Sequence, residues 1–176
     1  MDDAPAATLA RHDALLTLLA DTLTADERGT RLIGPDEGLP VPTLLVALGA
    51  DDEGRDRTMG ITILPFDEGA FDATDLMQFY VRMPFEVPDG RRTEVMAATA
   101  MVNASMAVGH FAVRGDELYY RYVLALPNNA VADEDMFGEL VALLAFHQET
   151  FGDYFEGVVD GEIPLALLPD VLEQTA

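Results

Sequence analysis

Apolar residues recur along the chain with two periods, and the switching between them lays out its elements. Leu9, His12, Leu16, Leu19 and Leu23 follow at spacings of three and four, which places them on one face of a helix. Asp3 stands where a cap would, and Pro5 where a first turn tolerates it. Residues 24–42 break the period with Gly34, Pro35, Gly38 and Pro40 and leave only Leu32 and Ile33 as strand material, so they read as a connector. In 43–49 and 58–64 the period drops to two, through Leu44, Val46, Leu48 and then Met59, Ile61, Ile63, predicting a hairpin about the acidic turn 50–57. Residues 76–85 put Met77, Phe79, Val81 and Met83 on one side and Gln78, Tyr80 and Arg82 on the other, a half-buried strand.

Pro88-Asp89-Gly90 stops that strand, and Val95, Ala98, Met101, Val102 and Met106 predict a helix closed by Gly109. Phe111 and Val113 then alternate with His110, Ala112 and Arg114. A tight turn at Gly115-Asp116 leads into Leu118, Tyr120, Tyr122, Leu124 and Leu126, alternating with Tyr119, Arg121 and Val123, the clearest hairpin in the chain. Asp133 is placed to cap a helix whose first turn carries Glu134 and Asp135, and whose stripe runs Phe137, Leu140, Leu144, His147, Phe151, Phe155, Val158. Gly152 inside it costs about 1 kcal/mol relative to Ala and predicts a bend or loosening. The tail, 163–176, holds a short docking helix at 165–172, bracketed by Pro164 and crossed by Pro169. The order helix, three strands, helix, two strands, helix argues for an α+β fold, one domain over 1–176 with helices covering an antiparallel sheet.

At 176 residues, 49% hydrophobic and 24% charged, the chain can bury a core. Its net charge of −22 repels phosphate backbones and anionic lipid, so neither direct nucleic-acid binding nor a membrane is expected. All ten basic residues are Arg; Lys, Cys and Trp are absent, and Ser105 is the sole serine, inside a helical pattern. Lysine Schiff-base chemistry, the phosphate-binding loop, thiol catalysis, cysteine zinc cages and a serine nucleophile at a strand-to-helix turn are thereby excluded. The expectation is a protein that is not an enzyme, with no cofactor and no metal. The start has no basic region, and its apolar run is broken by Arg11, His12 and Asp13, so no signal peptide is expected and the cytoplasm is the anticipated location.

Candidate chemistry narrows to a few groups. Asp51, Asp52, Glu53 and Asp56 offer oxygen ligands but lack the order of a calcium loop, and read as a solvated turn. His12 and His147 lie on apolar stripes and read as packed histidines, and His110 as structural or interfacial. Turning the apolar members of the last three strands inward leaves Gln78, Tyr80, Arg82, His110, Arg114, Tyr119 and Arg121 outward. A plain solvated face in so acidic a chain would be mostly Asp and Glu, whereas Tyr and Arg are enriched where proteins meet proteins. These residues are the expected partner or dimer contact face, unless one of the chain's own helices or the connector covers them.

Met83-Pro84-Phe85, Asn103, Gly109-His110-Phe111 and the run from Glu117 to Tyr122 give the stretch from Phe79 to about Gly161 a resemblance to the YbjN-like family. That family is similar in fold to type III secretion chaperones, small acidic α+β proteins that commonly form homodimers and bind extended or partly folded client segments. The resemblance implies a chaperone-like binding protein and brings no catalytic residue. The expected function is a non-enzymatic homodimer holding a segment of a client protein or peptide, a neutral or basic segment being favoured by the acidic surroundings. The rivals are a regulatory module that binds one folded partner in a signalling or transcriptional complex and, more remotely, an enzyme using carboxylates or a metal.

Overall fold

A computed structural model of the chain describes residues 4–66, 73–129 and 133–174. The elements run α1 (Ala4–Ala25), β1 (Thr30–Ile33), β2 (Thr43–Ala50), β3 (Asp56–Ile63), β4 (Thr74–Glu86), α2 (Arg92–Ser105), β5 (His110–Arg114), β6 (Glu117–Pro127), α3 (Glu134–Asp160) and α4 (Leu168–Glu173). The fold is α+β, with one open six-stranded antiparallel sheet. Its strand order is β1-β2-β3-β4-β6-β5, so β5 takes the edge and β6 returns between it and β4. Val87 N–H donates to the Asp116 carbonyl at 2.7 Å, and Asn128 N–H to the Ala73 carbonyl at 2.9 Å. Each bond sets the end of one strand against the start of the other, as an antiparallel β4–β6 pair requires.

Two expectations need correction. Residues 24–42 do not merely connect: Thr30 to Ile33 pair with Val46 to Thr43 as β1, an edge strand too short and too polar at Thr30 and Arg31 to show a period. Four strands therefore precede α2. Gly109 does not end that helix, which stops at Ser105; its φ of 71° turns the chain into β5 instead. α3 runs on through Gly152, from Glu134 to Asp160. A Cβ there would come within 2.7 Å of Met83 Cε, the flexible tip of a β4 side chain that rests in the space the glycine leaves. The Asp3 cap lies outside the described residues, whereas Asp133 does cap α3, its Oδ1 accepting from Met136 N–H at 3.0 Å.

The chain divides into two compact units. The first, of residues 1–48, 58–79 and 123–141, packs α1 against β1 and buries Leu16, Leu19, Leu23, Leu44, Val46, Met59, Ile61, Met77, Phe79, Phe137 and Val141. Its Asp75 receives Arg11 at 2.6 Å and His12 at 3.1 Å, which gives that histidine a structural partner.

The second unit, of residues 49–57, 80–122 and 142–176, packs α2 against β5 and α4. It buries Val81, Met83, Val95, Ala98, Val102, Phe111, Leu118, Tyr120, Leu144, Phe151, Phe155, Val158, Leu168 and Leu172. In the β5–β6 register Phe111 stands opposite Tyr120, and both are buried. The alternate pairs His110 with Arg121, Ala112 with Tyr119 and Arg114 with Glu117 occupy the opposite face, because strand side chains alternate.

Candidate functional site

An edge strand is free to slide or to pair with another chain unless something holds it. On β5 the Asn103 side chain, projecting from α2, takes both backbone groups of Phe111: its Oδ1 accepts the Phe111 N–H at 2.7 Å, and its Nδ2 donates to the Phe111 carbonyl at 2.9 Å. The amide thus occupies the hydrogen-bonding edge as a neighbouring strand would. The Phe111 ring packs on the other side at 4.8 Å from Tyr120, 4.8 Å from Phe155 and 6.3 Å from Phe151. Asn103→Ala is expected to lower stability by about 1–3 kcal/mol in urea unfolding, since two backbone groups lose their partner. Asn103→Asp should cost more, because a second acceptor then faces the Phe111 carbonyl.

With β5 and β6 fixed, their outward residues meet those of β4 around one carboxylate. Glu117 accepts a short hydrogen bond from the Tyr80 hydroxyl and a bond from Arg114 Nη2 at 3.2 Å, and lies 3.8 Å from Arg82 Nε. Arg114 Nη2 also approaches the Tyr80 oxygen at 3.3 Å. The Tyr80 and Tyr119 rings stack with centroids 5.0 Å apart, and the Arg114 guanidinium lies 5.7 Å from the Tyr119 centroid. Burial first, and then the Glu117 carboxylate, pushes the Tyr80 hydroxyl well above the usual phenol range, so it remains a donor at neutral pH.

None of the seven expected face residues is buried. Arg82 and Arg114 are open, with side chains 56% and 71% exposed, and Gln78, Tyr80, His110, Tyr119 and Arg121 are half-buried. Gln78 lies on the same face of β4 but belongs to the first unit; the other six fall in the second. Glu117, 17% exposed and the hub of the patch, is absent from the expected set. The strict alternation of Glu117, Tyr119 and Arg121 could have found it.

The remaining candidates settle into structural roles. Tyr120 donates its one hydroxyl proton to the Val108 carbonyl at 3.0 Å, so His147 Nδ1, 3.2 Å away, must carry a hydrogen and donate to the Tyr120 oxygen. Burial lowers the His147 pKa from 6.5, favouring this neutral form. His110 is lowered in the same direction, by burial first and then by Arg121. A histidine whose pKa falls on folding binds more protons in the unfolded chain, so its contribution is complete above about pH 6.5 and is lost as pH drops below that. Comparing urea unfolding at pH 7.5 and pH 5.5, the His147→Gln variant should therefore lose less stability on acidification than the wild type.

In the acidic turn Asp51 Oδ1 accepts the backbone N–H groups of Glu53 and Arg55, and Arg55 bridges Asp51 at 2.7 Å and Glu156 at 2.6 Å. The hydrogen bond to Glu156 leads the causes that hold the Arg55 guanidinium above its usual range. Guanidinium therefore answers these carboxylates. Ser105 hydroxyl donates to the Val102 carbonyl at 2.8 Å. Among the described residues no cluster of three His, Cys, Asp or Glu is placed to hold a metal, and no helix is long and apolar enough to cross a membrane. Compared with models of known protein families and with curated proteins, the chain matches none.

Proposed function

We propose that this protein is a non-enzymatic, chaperone-like binding protein, a cytoplasmic homodimer that holds a segment of a client protein. The observation that carries the reading is the outward face of β4, β6 and β5. There stacked Tyr80 and Tyr119 lie among Arg82, Arg114 and Arg121, which are open or half-buried, in a chain of charge −22. Large aromatic area and forked donors are what protein contact surfaces concentrate. The helix, strands, helix, strands, helix order also accords with the YbjN-like resemblance and its secretion-chaperone-like fold. The negative field of the rest of the molecule draws basic client stretches, admits neutral ones, and holds nucleic acid and anionic lipid away.

Capture of client segments on a peptide array, compared between the wild type and the variants Tyr119→Ala and Arg121→Glu, tests this. Short linear segments should bind the wild type and be lost from both variants while far-UV circular dichroism stays native. Capture limited to a folded partner would replace the chaperone-like reading with a regulatory module, and capture undiminished in both variants would remove the face from the account.

A further inference from the structure

We propose that the outward face of β4, β6 and β5 anchors an extended client segment through an acidic side chain, whose carboxylate sits on the guanidiniums of Arg82 and Arg114 with Arg121 on the same face. The proposal rests on the reading of this face as a contact surface and adds the chemistry of its occupant. The molecule as a whole is strongly acidic, yet the outward positions of these strands in the second unit hold Arg82, Arg114 and Arg121 against Glu86 and Glu117. Glu86 lies at the end of β4. Glu117 is already engaged, receiving the Tyr80 hydroxyl and Arg114 on one oxygen and approached by Arg82 on the other.

One carboxylate cannot satisfy two guanidiniums, each of which carries five N–H donors in a fixed fork. Glu117, 17% exposed, holds the pair from beneath, and with side chains 56% and 71% exposed Arg82 and Arg114 keep donors turned to solvent. A second carboxylate arriving from outside meets forks already oriented, the geometry in which arginine binds carboxylate bidentately. The stacked Tyr80 and Tyr119 rings supply apolar surface alongside. Repulsion from the distant acids does not prevent this, because at ~0.15 M salt the Debye length is about 8 Å and contact pairs outlast the long-range field. The client segment that fits both fields is neutral or basic along its length with one acidic residue at the anchor.

Fluorescence anisotropy on the full chain tests the anchor with a labelled synthetic peptide of alternating valine and serine carrying one central glutamate, and its glutamine and lysine counterparts. The glutamate peptide is expected to bind about tenfold more tightly than the glutamine peptide, the scale of a charge-assisted hydrogen bond. Its binding should strengthen from low to physiological salt as the distant repulsion is screened. That preference should vanish in the double variant Arg82→Gln, Arg114→Gln and survive in Arg31→Gln on β1, with circular dichroism native in each. Equal binding of glutamate and glutamine peptides, or preference for lysine, with Tyr119→Ala weakening all three, would overturn the anchor and leave the contact face standing. Failure of all three peptides to bind, together with unchanged mass and capture in Tyr119→Ala, would overturn both.

Discussion

Gly109→Ala is expected to destabilise the fold by about 3 kcal/mol, the sum of the left-handed backbone penalty and the overpacking of a filled site. Gly109 has φ 71°, and a Cβ added there would collide with the Tyr120 hydroxyl oxygen and lie 2.6 Å from its Cζ. The ring cannot withdraw cheaply, because its hydroxyl is tied to the Val108 carbonyl and to His147, and its body is buried against Phe111. Gly115 supplies the control: its φ of 66° is as unfavourable for alanine, but nothing lies within 4 Å of its added Cβ. Gly115→Ala should lose only the backbone part, about 1–2 kcal/mol. The difference between the two urea midpoints then isolates the packing of Tyr120 beneath Gly109.

The second large effect belongs to Phe111→Ala, with an expected loss of about 3–5 kcal/mol, typical of an aromatic ring removed from a core. Phe111 joins three ring contacts, to Tyr120, Phe151 and Phe155, while its backbone is held by Asn103. Deleting the ring opens a cavity between β5 and α3 that the fixed backbone prevents from collapsing. Calorimetry or urea unfolding reads the loss directly. Phe111→Leu should recover most of it, since part of the volume is restored without a polar group.

These two positions show what the sequence made legible and what it did not. In 76–85 and 110–120 the period of two matches the burial, with Met77, Phe79, Val81, Met83, Phe111, Leu118 and Tyr120 buried between neighbours that are not, because a period of two admits one reading when one face is buried. Past Tyr120 the burial of β6 no longer alternates. The two-residue turn at Gly115-Asp116 further fixed the register that sets Arg114 opposite Glu117. β1 escaped because four residues with Thr30 and Arg31 among them show no period. The placing of β6 between β4 and β5 also escaped, since strand order is decided by long-range pairing. Asn103 and Gly109 were visible as spaced motif positions, but their partners, Phe111 backbone and Tyr120 ring, are set by tertiary packing. Glu117 was passed over because one acid among 32 carries no weight until the strand faces are combined.

The lock around Phe111 and the face above it belong to one construction. Asn103, Gly109 and the buried rings hold β5 and β6 in register, and that register brings Tyr119 and Arg114 beside Tyr80 and Glu117. A contact surface made of rigid strands keeps aromatic and guanidinium groups in place before a partner arrives, which reduces the ordering cost of binding. Light scattering is the measurement that reaches the central claim most directly. It should give the wild type twice the 19.1 kDa chain mass, and Tyr119→Ala and Arg121→Glu, with native circular dichroism, should either shift that mass or lose capture of client segments. Identical masses for all three proteins, with capture of client segments unchanged, would contradict it.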